Sequence, residues 1–294
     1  MEYTHLLLRE GELFLKGKNA SAFERRLAAN LRAFFPGLAI QQGRGRMTVA
    51  YFTSHWELRK VFGLVSYSPA VQVQGGRKSG EKWPEDIGPI KAACLQLLVS
   101  QSLQRKITTF KIQTKRSDKS FPKTSLQVNA EIGRHIEQSS SLHFHPLEQE
   151  NILHIEINHQ GIFVFSEVIP CVGGLPVGIE GNVSLLLEDE RSLLAGLLMM
   201  KRGCSVIPIP ANDQNHSFSL LKSFYPQLSS FPGEILNGGN DTSVLVTGDL
   251  LFSKRKDAIS KVPGNSIILK PLISYTPEQV KEELLRFKVL VDSK

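Results

Sequence analysis

Residues Val183–Leu187, apolar but for Ser184, form a run of strand length. This run constrains the fold more than any other stretch. A strand wetted on one side alternates apolar and polar residues. A run of this kind belongs to a strand covered on both faces, as in a parallel sheet flanked by helices. The residues C-terminal to it fit such a sheet. Ser192–Lys201 has helical spacing, Ser205–Ile209 is a strand, and Phe218–Phe224 a helix. Val244–Thr247 and Ile267–Lys270 are further strands, and Pro277–Arg286 is a helix opened by Thr276. Alternation of this type predicts a Rossmann-like parallel α/β domain over 171–294.

The chain ahead of it reads differently. Tyr3–Arg9, Ala39–Gln41, Met47–Phe52 and Pro69–Gln74 are strand candidates; Ala20–Phe35 and Trp56–Phe62 are helix candidates, stopped by Pro36-Gly37 and Gly63. This is the βαββαβ order of a ferredoxin-like domain, assigned to 1–75. Gly75–Pro84 reads as a linker. Asp86–Leu103 and Ser125–Ser139 then read as helices, Thr108–Thr114 as a strand, and Leu153–Ile157 with Gly161–Val168 as a hairpin, giving a second mixed domain over 76–170. The fold class is therefore α/β and α+β. At roughly 100–200 residues per domain, 294 residues accommodate two or three.

Charge divides the chain as well. Residues 1–150 carry 22 Lys and Arg against 13 Asp and Glu, a balance of +9; residues 151–294 carry 13 against 15, a balance of −2. A basic half suits a polyanion, and nucleic acid ranks ahead of a membrane because no basic amphipathic helix stands out. No apolar stretch approaches the roughly 20 residues that span a bilayer. The first residues lack the basic region of a secretory signal, so a cytoplasmic location is expected. Cys94, Cys171 and Cys204 are odd in number and widely spaced, which suits a reducing compartment and forms no metal motif. His143, His145, His154 and His159 cluster, with no further ligand at a zinc spacing, so no metal site is expected.

Three stretches carry a family resemblance. Arg9-Glu10-Gly11-Glu12-Leu13 with Leu15-Lys16-Gly17-Lys18-Asn19 and Phe23-Glu24 resembles the N-terminal signature of the ThiI family, the tRNA 4-thiouridine synthetases or tRNA sulfurtransferases. Phe110–Gln113 followed by Lys115-Arg116-Ser117-Asp118-Lys119-Ser120-Phe121-Pro122 resembles the centre of that family's THUMP domain. Gly173-Gly174-Leu175-Pro176-Val177-Gly178 and Leu197–Gly203 resemble the flanks of its nucleotide-binding loop. The resemblance implies a ferredoxin-like domain, a THUMP domain and a pyrophosphatase-type α/β domain, in that order. It also implies tRNA binding through the first two.

The candidate RNA-binding residues are Lys16, Lys18, Lys111, Lys115, Arg116, Lys119, Phe121 and Lys123. Several of these cations, placed on one strand and its following loop, can reach phosphates together; such contacts give salt-dependent affinity and little sequence information. Phe121 has two readings, a base-stacking platform or a core plug beside Pro122.

The departure from the family is in the catalytic loop. Active members carry Ser-Gly-Gly-x-Asp-Ser there, since glycines let backbone N–H groups close around pyrophosphate at a helix N-terminus. This chain reads Leu187-Glu188-Asp189-Glu190-Arg191-Ser192, without either glycine and one residue shorter. Ser192 aligns with the last serine, and three carboxylates stand where phosphate would sit. Val246-Thr247-Gly248-Asp249 resembles the later nucleotide-site turn, but Leu250-Leu251-Phe252 replaces the polar residues expected after it. The segment with the sulfur-handling cysteine has no counterpart. Gly238–Asp241 reads as a turn and Lys254-Arg255-Lys256 as a solvated basic run.

These observations predict a tRNA-binding THUMP protein with a degenerate nucleotide site and no cofactor. It would be a non-catalytic adapter or regulator working with a tRNA-modifying enzyme or sulfur donor, with a homodimer allowed. The alternative is an active ATP-dependent tRNA sulfurtransferase with an altered site, using ATP-Mg.

Overall fold

The computed structural model describes residues 2–11, 19–43, 45–77, 81–148, 150–210, 216–228, 244–250 and 267–292. They fall into two compact units. The first takes 1–9, 39–53 and 67–169; the second takes 10–38, 54–66 and 170–294.

The first unit is built on one mixed sheet, described from β1 (His5–Glu10), β2 (Ile40–Gly43), β3 (Arg46–Ala50), β4 (Leu64–Gly75), β5 (Thr109–Arg116), β6 (His143–Phe144), β7 (Ile152–Asn158) and β8 (Gly161–Phe165). Their order across the sheet is β2-β3-β1-β4-β8-β7-β5-β6, and a short β9 (Ile169–Pro170) pairs with β4. The strands expected for the ferredoxin-like and THUMP segments thus share one sheet, joined where β4 runs antiparallel to β8. The β7–β8 hairpin turns between Asn158 and Gly161. Gly161 has φ +141°, and a Cβ there would lie 2.2 Å from the Gln74 carbonyl, so only glycine fits.

Helices α2 (Gly88–Ser102) and α3 (Ser125–Ser139) cover one face of this sheet. Ile90, Leu97, Val128, Ile132 and Ile136 pack there against Phe110, Ile112, Leu153, Ile155, Ile162 and Val164. Alternation along the strands sends the other set of side chains to the opposite face, where Leu7, Ala70, Phe163 and Phe165 form a smaller cluster. The sheet coils strongly. Arg46 on β3 forms an ion pair with Glu156 on β7 although β1, β4 and β8 lie between them, and Thr48 donates to the Gln160 side chain at 2.8 Å.

The second unit contains a parallel sheet in the order β11-β10-β12-β13, from β10 (Asn182–Leu187), β11 (Ser205–Pro210), β12 (Val244–Val246) and β13 (Ile267–Leu269). α4 (Glu190–Lys201), α5 (His216–Phe224) and α6 (Pro277–Asp292) belong with it, as do α1 (Ala20–Phe34) and a 3₁₀ turn at His55–Lys60. β10 has neighbours on both sides, as its composition required. Val183, Leu185 and Leu187 are buried among Leu194, Leu197, Leu221, Phe224 and Phe287, while Ser184 and Leu186 are half-buried.

The expected Trp56–Phe62 helix is the 3₁₀ turn, which gives way to extended backbone at Val61, with Gly63 in the left-handed region two residues on. The strand read as Pro69–Gln74 runs from Leu64, because pairing with neighbouring strands extends it beyond its own apolar pattern. α4 begins at Glu190, two residues before the expected start at Ser192.

Candidate functional sites: a basic sheet face and a self-capped helix

The first site lies on the sheet face of the first unit opposite α2 and α3. β5 sends Phe110, Ile112 and Thr114 inward and leaves Lys111 half-buried, with Gln113 and Lys115 exposed on the other side. β7 runs parallel beside it, with Gln113 level with His154 and Lys115 level with Glu156. Arg9 and Arg46 arrive from β1 and β3 and close a cavity of about 240 Å³ with Gln113, Lys115, His154, Glu156 and Phe165. Phe165 organises its wall. The Arg9 guanidinium lies 5.0 Å over that ring, and His154 stacks on it at 5.0 Å with 14° between planes. Arg9 also donates to the Ser68 hydroxyl at 2.9 Å. Burial, and then the Arg9 charge, push the His154 imidazole down to about 4, so the ring is neutral at physiological pH. Three cations around an aromatic wall, with Glu156 answering Arg46, suit an anion that carries flat rings.

The remaining sequence candidates follow β5. Lys119 is exposed. Arg116 donates to the Phe121 carbonyl at 3.0 Å, so its guanidinium braces the loop. Lys123 donates to Glu131 at 2.6 Å, and that contact holds the Glu131 carboxyl below its ordinary value. Phe121 is 3% exposed and sits edge-on to Trp83, ring centroids 5.8 Å apart. It fills the core under α3 and cannot offer a face to a base, which corrects its candidacy as a stacking platform. Lys16 and Lys18 lie outside the described residues. Arg9, Arg46 and His154 were not among the candidates. Each comes from a different strand, and only the coil of the sheet assembles them.

The second site is at the carboxyl ends of β10 and β12. The chain leaves β10 for β11 on one side, then crosses to β12 on the other. In open parallel sheets, ligands bind at such a reversal of strand order. Here it is filled by the protein's own groups. Asp189 is the N-cap of α4, and its Oδ1 accepts from the backbone N–H of Arg191 at 3.0 Å and of Ser192 at 3.1 Å. Ser192 Oγ accepts in return from the N–H of Asp189 at 3.0 Å and of Glu188 at 2.8 Å. The Arg191 guanidinium closes on Asp189 Oδ2 at 2.8 and 2.5 Å. Ser192 is fully buried. The three carboxylates are therefore not equivalent: Asp189 caps, while Glu190 points outward to Lys288 at 2.8 Å. The turn after β12 completes the closure. A Cβ on Gly248 would lie 2.4 Å from the Ser192 nitrogen, and Asp249 is held by Thr247 at 3.0 Å and Lys270 at 3.3 Å.

A nucleotide triphosphate bound in the phosphate-loop manner would need the first-turn amides of α4. An aspartate already satisfies them, a second backbone segment packs against that turn, and no glycine is present in the loop. The residues do not fit the group. Among the described residues, no cluster of three or more His, Cys, Asp or Glu side chains is placed to hold a metal ion. Cys94 and Cys204 are buried, and burial pushes both thiols up, as expected of packing rather than reactive cysteines. The Gly238–Asp241 turn, the residues following Leu250 and the Lys254–Lys256 run lie outside the described residues.

Two family models match the chain, and solved structures share its fold. The family model for the ThiI ferredoxin-like domain matches residues 5–68 and that for the THUMP domain matches 84–167. A protein of Lysinibacillus sphaericus named "Probable tRNA sulfurtransferase" is 31% identical over 300 residues, 97% of this chain and 69% of the relative. One of the same name from Brevibacillus brevis is 36% identical over 222 residues, 70% of this chain and 51% of the relative. The chain spans about half the length of several such curated relatives. Among solved structures, PH1313 from Pyrococcus horikoshii superposes with a TM-score of 0.78 at 26% identity, over 97% of this chain and 99% of that one. A 4-thiouridine synthetase solved with RNA and ATP also gives 0.78, at 19% identity, over 100% of this chain and 87% of that one, and shares the fold.

Proposed function

The chain belongs to the ThiI family of tRNA sulfurtransferases, and from that membership we propose that it binds tRNA through its THUMP-containing first unit and acts as a non-catalytic adapter or regulator in tRNA modification. Arg9, Arg46, Lys111, Lys115 and Lys119 give phosphate contacts, with His154 and Phe165 as the neighbouring aromatic wall. No nucleotide cofactor takes part. A modifying enzyme or a sulfur donor is the partner class, a second copy of the chain is allowed, and the cytoplasm is the place. No helix among the described residues is long and apolar enough to cross a membrane.

One observation carries the non-catalytic half: the Asp189 carboxylate takes the α4 amides that a phosphate group would need. The competing reading is an active sulfurtransferase with an altered site, which the names of the curated relatives favour.

Two measurements decide. Calorimetric titration with ATP-Mg is expected to show no saturable heat up to about 1 mM; binding in the micromolar range would restore the enzymatic reading. Filter binding of tRNA across a salt series is expected to give log K falling against log salt with a slope of about −3 to −5, as for a handful of phosphate contacts. A flat salt response, or no preference for tRNA over heparin, would remove the RNA half.

A further inference from the structure

Asp118 stands out because it is a buried acid in a loop that carries Lys119 and Lys123. It is 6% exposed and accepts four hydrogen bonds: from Ser120 N–H at 2.9 Å, Ser120 Oγ at 2.6 Å, the Trp83 indole at 3.0 Å and Arg77 at 2.8 Å. Arg77 in turn lies 4.8 Å over the Trp83 ring. The exposed His159 imidazole is 3.9 Å from the same carboxylate. The backbone is tied too, with Ser117 N–H donating to the Ile157 carbonyl at 3.0 Å and Arg116 to the Phe121 carbonyl. Burial works to raise the Asp118 carboxyl, but the bonds from Ser120, Arg77 and Trp83 outweigh it and hold the group well below the usual carboxylate range. It is charged at every physiological pH.

A fixed negative charge between Lys115 and Lys119 repels phosphate. Ordering acts in the opposite direction. A loop held in one conformation before RNA arrives loses less entropy on binding, so its lysines contribute more. We propose that Asp118 is a positioning residue for RNA: by tying Arg77, Trp83 and Ser120 together it fixes the loop after β5 that presents Lys119 beyond the strand residue Lys115, and this ordering outweighs the repulsion of its own charge. The inference rests on the reading that this face of the first unit contacts tRNA.

The two effects have opposite signs, and that makes the idea testable. In the full-length chain, Asp118→Asn removes a negative charge. If charge alone mattered, tRNA would bind more tightly. Positioning predicts binding about tenfold weaker, with the salt slope smaller in magnitude by about one to two. Measurement well below the melting temperature of the variant keeps loss of folded protein out of the result. Trp83→Phe removes one donor and leaves every charge in place; it is expected to weaken binding by about two- to fivefold and decides the matter should Asp118→Asn fail to fold. Unchanged or tighter binding by the folded variants overturns the proposal. A Lys115→Ala/Lys119→Ala chain separates the two possible failures. If it binds tRNA normally, the face itself is not the RNA site. If it loses affinity while Asp118→Asn does not, only the positioning role falls.

Discussion

Phe121→Ala is expected to destabilise the protein by about 3–5 kcal/mol, the usual cost of removing a fully buried phenyl ring. Phe121 is 3% exposed, its edge meets Trp83, and it belongs to the same cluster as Ile112, Val128 and Ile132. Truncation opens a cavity beneath α3 and leaves Trp83 without a neighbour on one side. At roughly 2–4 °C per kcal/mol for domains of this size, the melting temperature falls by about 10 °C. The measurement bears directly on function. A phenyl ring that stacked on a base would be dispensable for stability and would matter only when RNA was present. A thermal melt unchanged from wild type would return Phe121 to that role and contradict its placement in the core.

Arg46→Ala is the second large effect. Its partner Glu156 has a side chain only 6% exposed, and the Arg46 side chain is 17% exposed. Once the cation is gone, the hydrogen bond left to the Glu156 carboxylate among the described residues is from the Asn158 amide at 3.1 Å. Stranding a buried charge costs about 3–5 kcal/mol, far more than the pair contributes over two neutral groups. Urea denaturation of Arg46→Ala should show that loss, and Arg46→Ala/Glu156→Ala should recover much of it. A cycle in which the two single changes simply add would deny the contact across the coiled sheet. The same variant removes a cation from the Arg9–Lys115 cavity, so tRNA affinity should fall in parallel with the loss of stability.

Much of this architecture was legible because its signals are local. α3 matches its expected span Ser125–Ser139: apolar positions recur at helical spacing, and Thr124 and Gln127 form a reciprocal cap at its start. The β7–β8 hairpin was readable from the turn before Gly161, where no side chain fits. β6 and β9 were not readable, because two residues have no period of their own and exist as strands only by pairing with β5 and β4. α4 starts two residues early for a similar reason. Asp189 and Ser192 satisfy each other's backbone amides, a reciprocal arrangement seen only when both are placed.

The candidate sites divide along the same line. Lys111, Lys115 and Lys119 follow from a basic run on one strand and the loop after it. Arg116 and Lys123 look equivalent to them in the chain, yet one braces the loop and the other pairs with Glu131. Arg9 and Arg46 look ordinary in sequence and become part of the basic face through the coil of the sheet.

The sequence alone determined the family, the basic and acidic halves, and the absence of glycine from residues 188–192. Those properties reside in residue identity and short-range spacing, which survive without coordinates. Only the tertiary structure decided which cations share a cavity, that Phe121 serves the core, and that Asp189 takes up the α4 amides. Each of these depends on distances between groups that the chain does not place near one another until long-range pairing has curved the sheet or closed the turn after β12 onto α4.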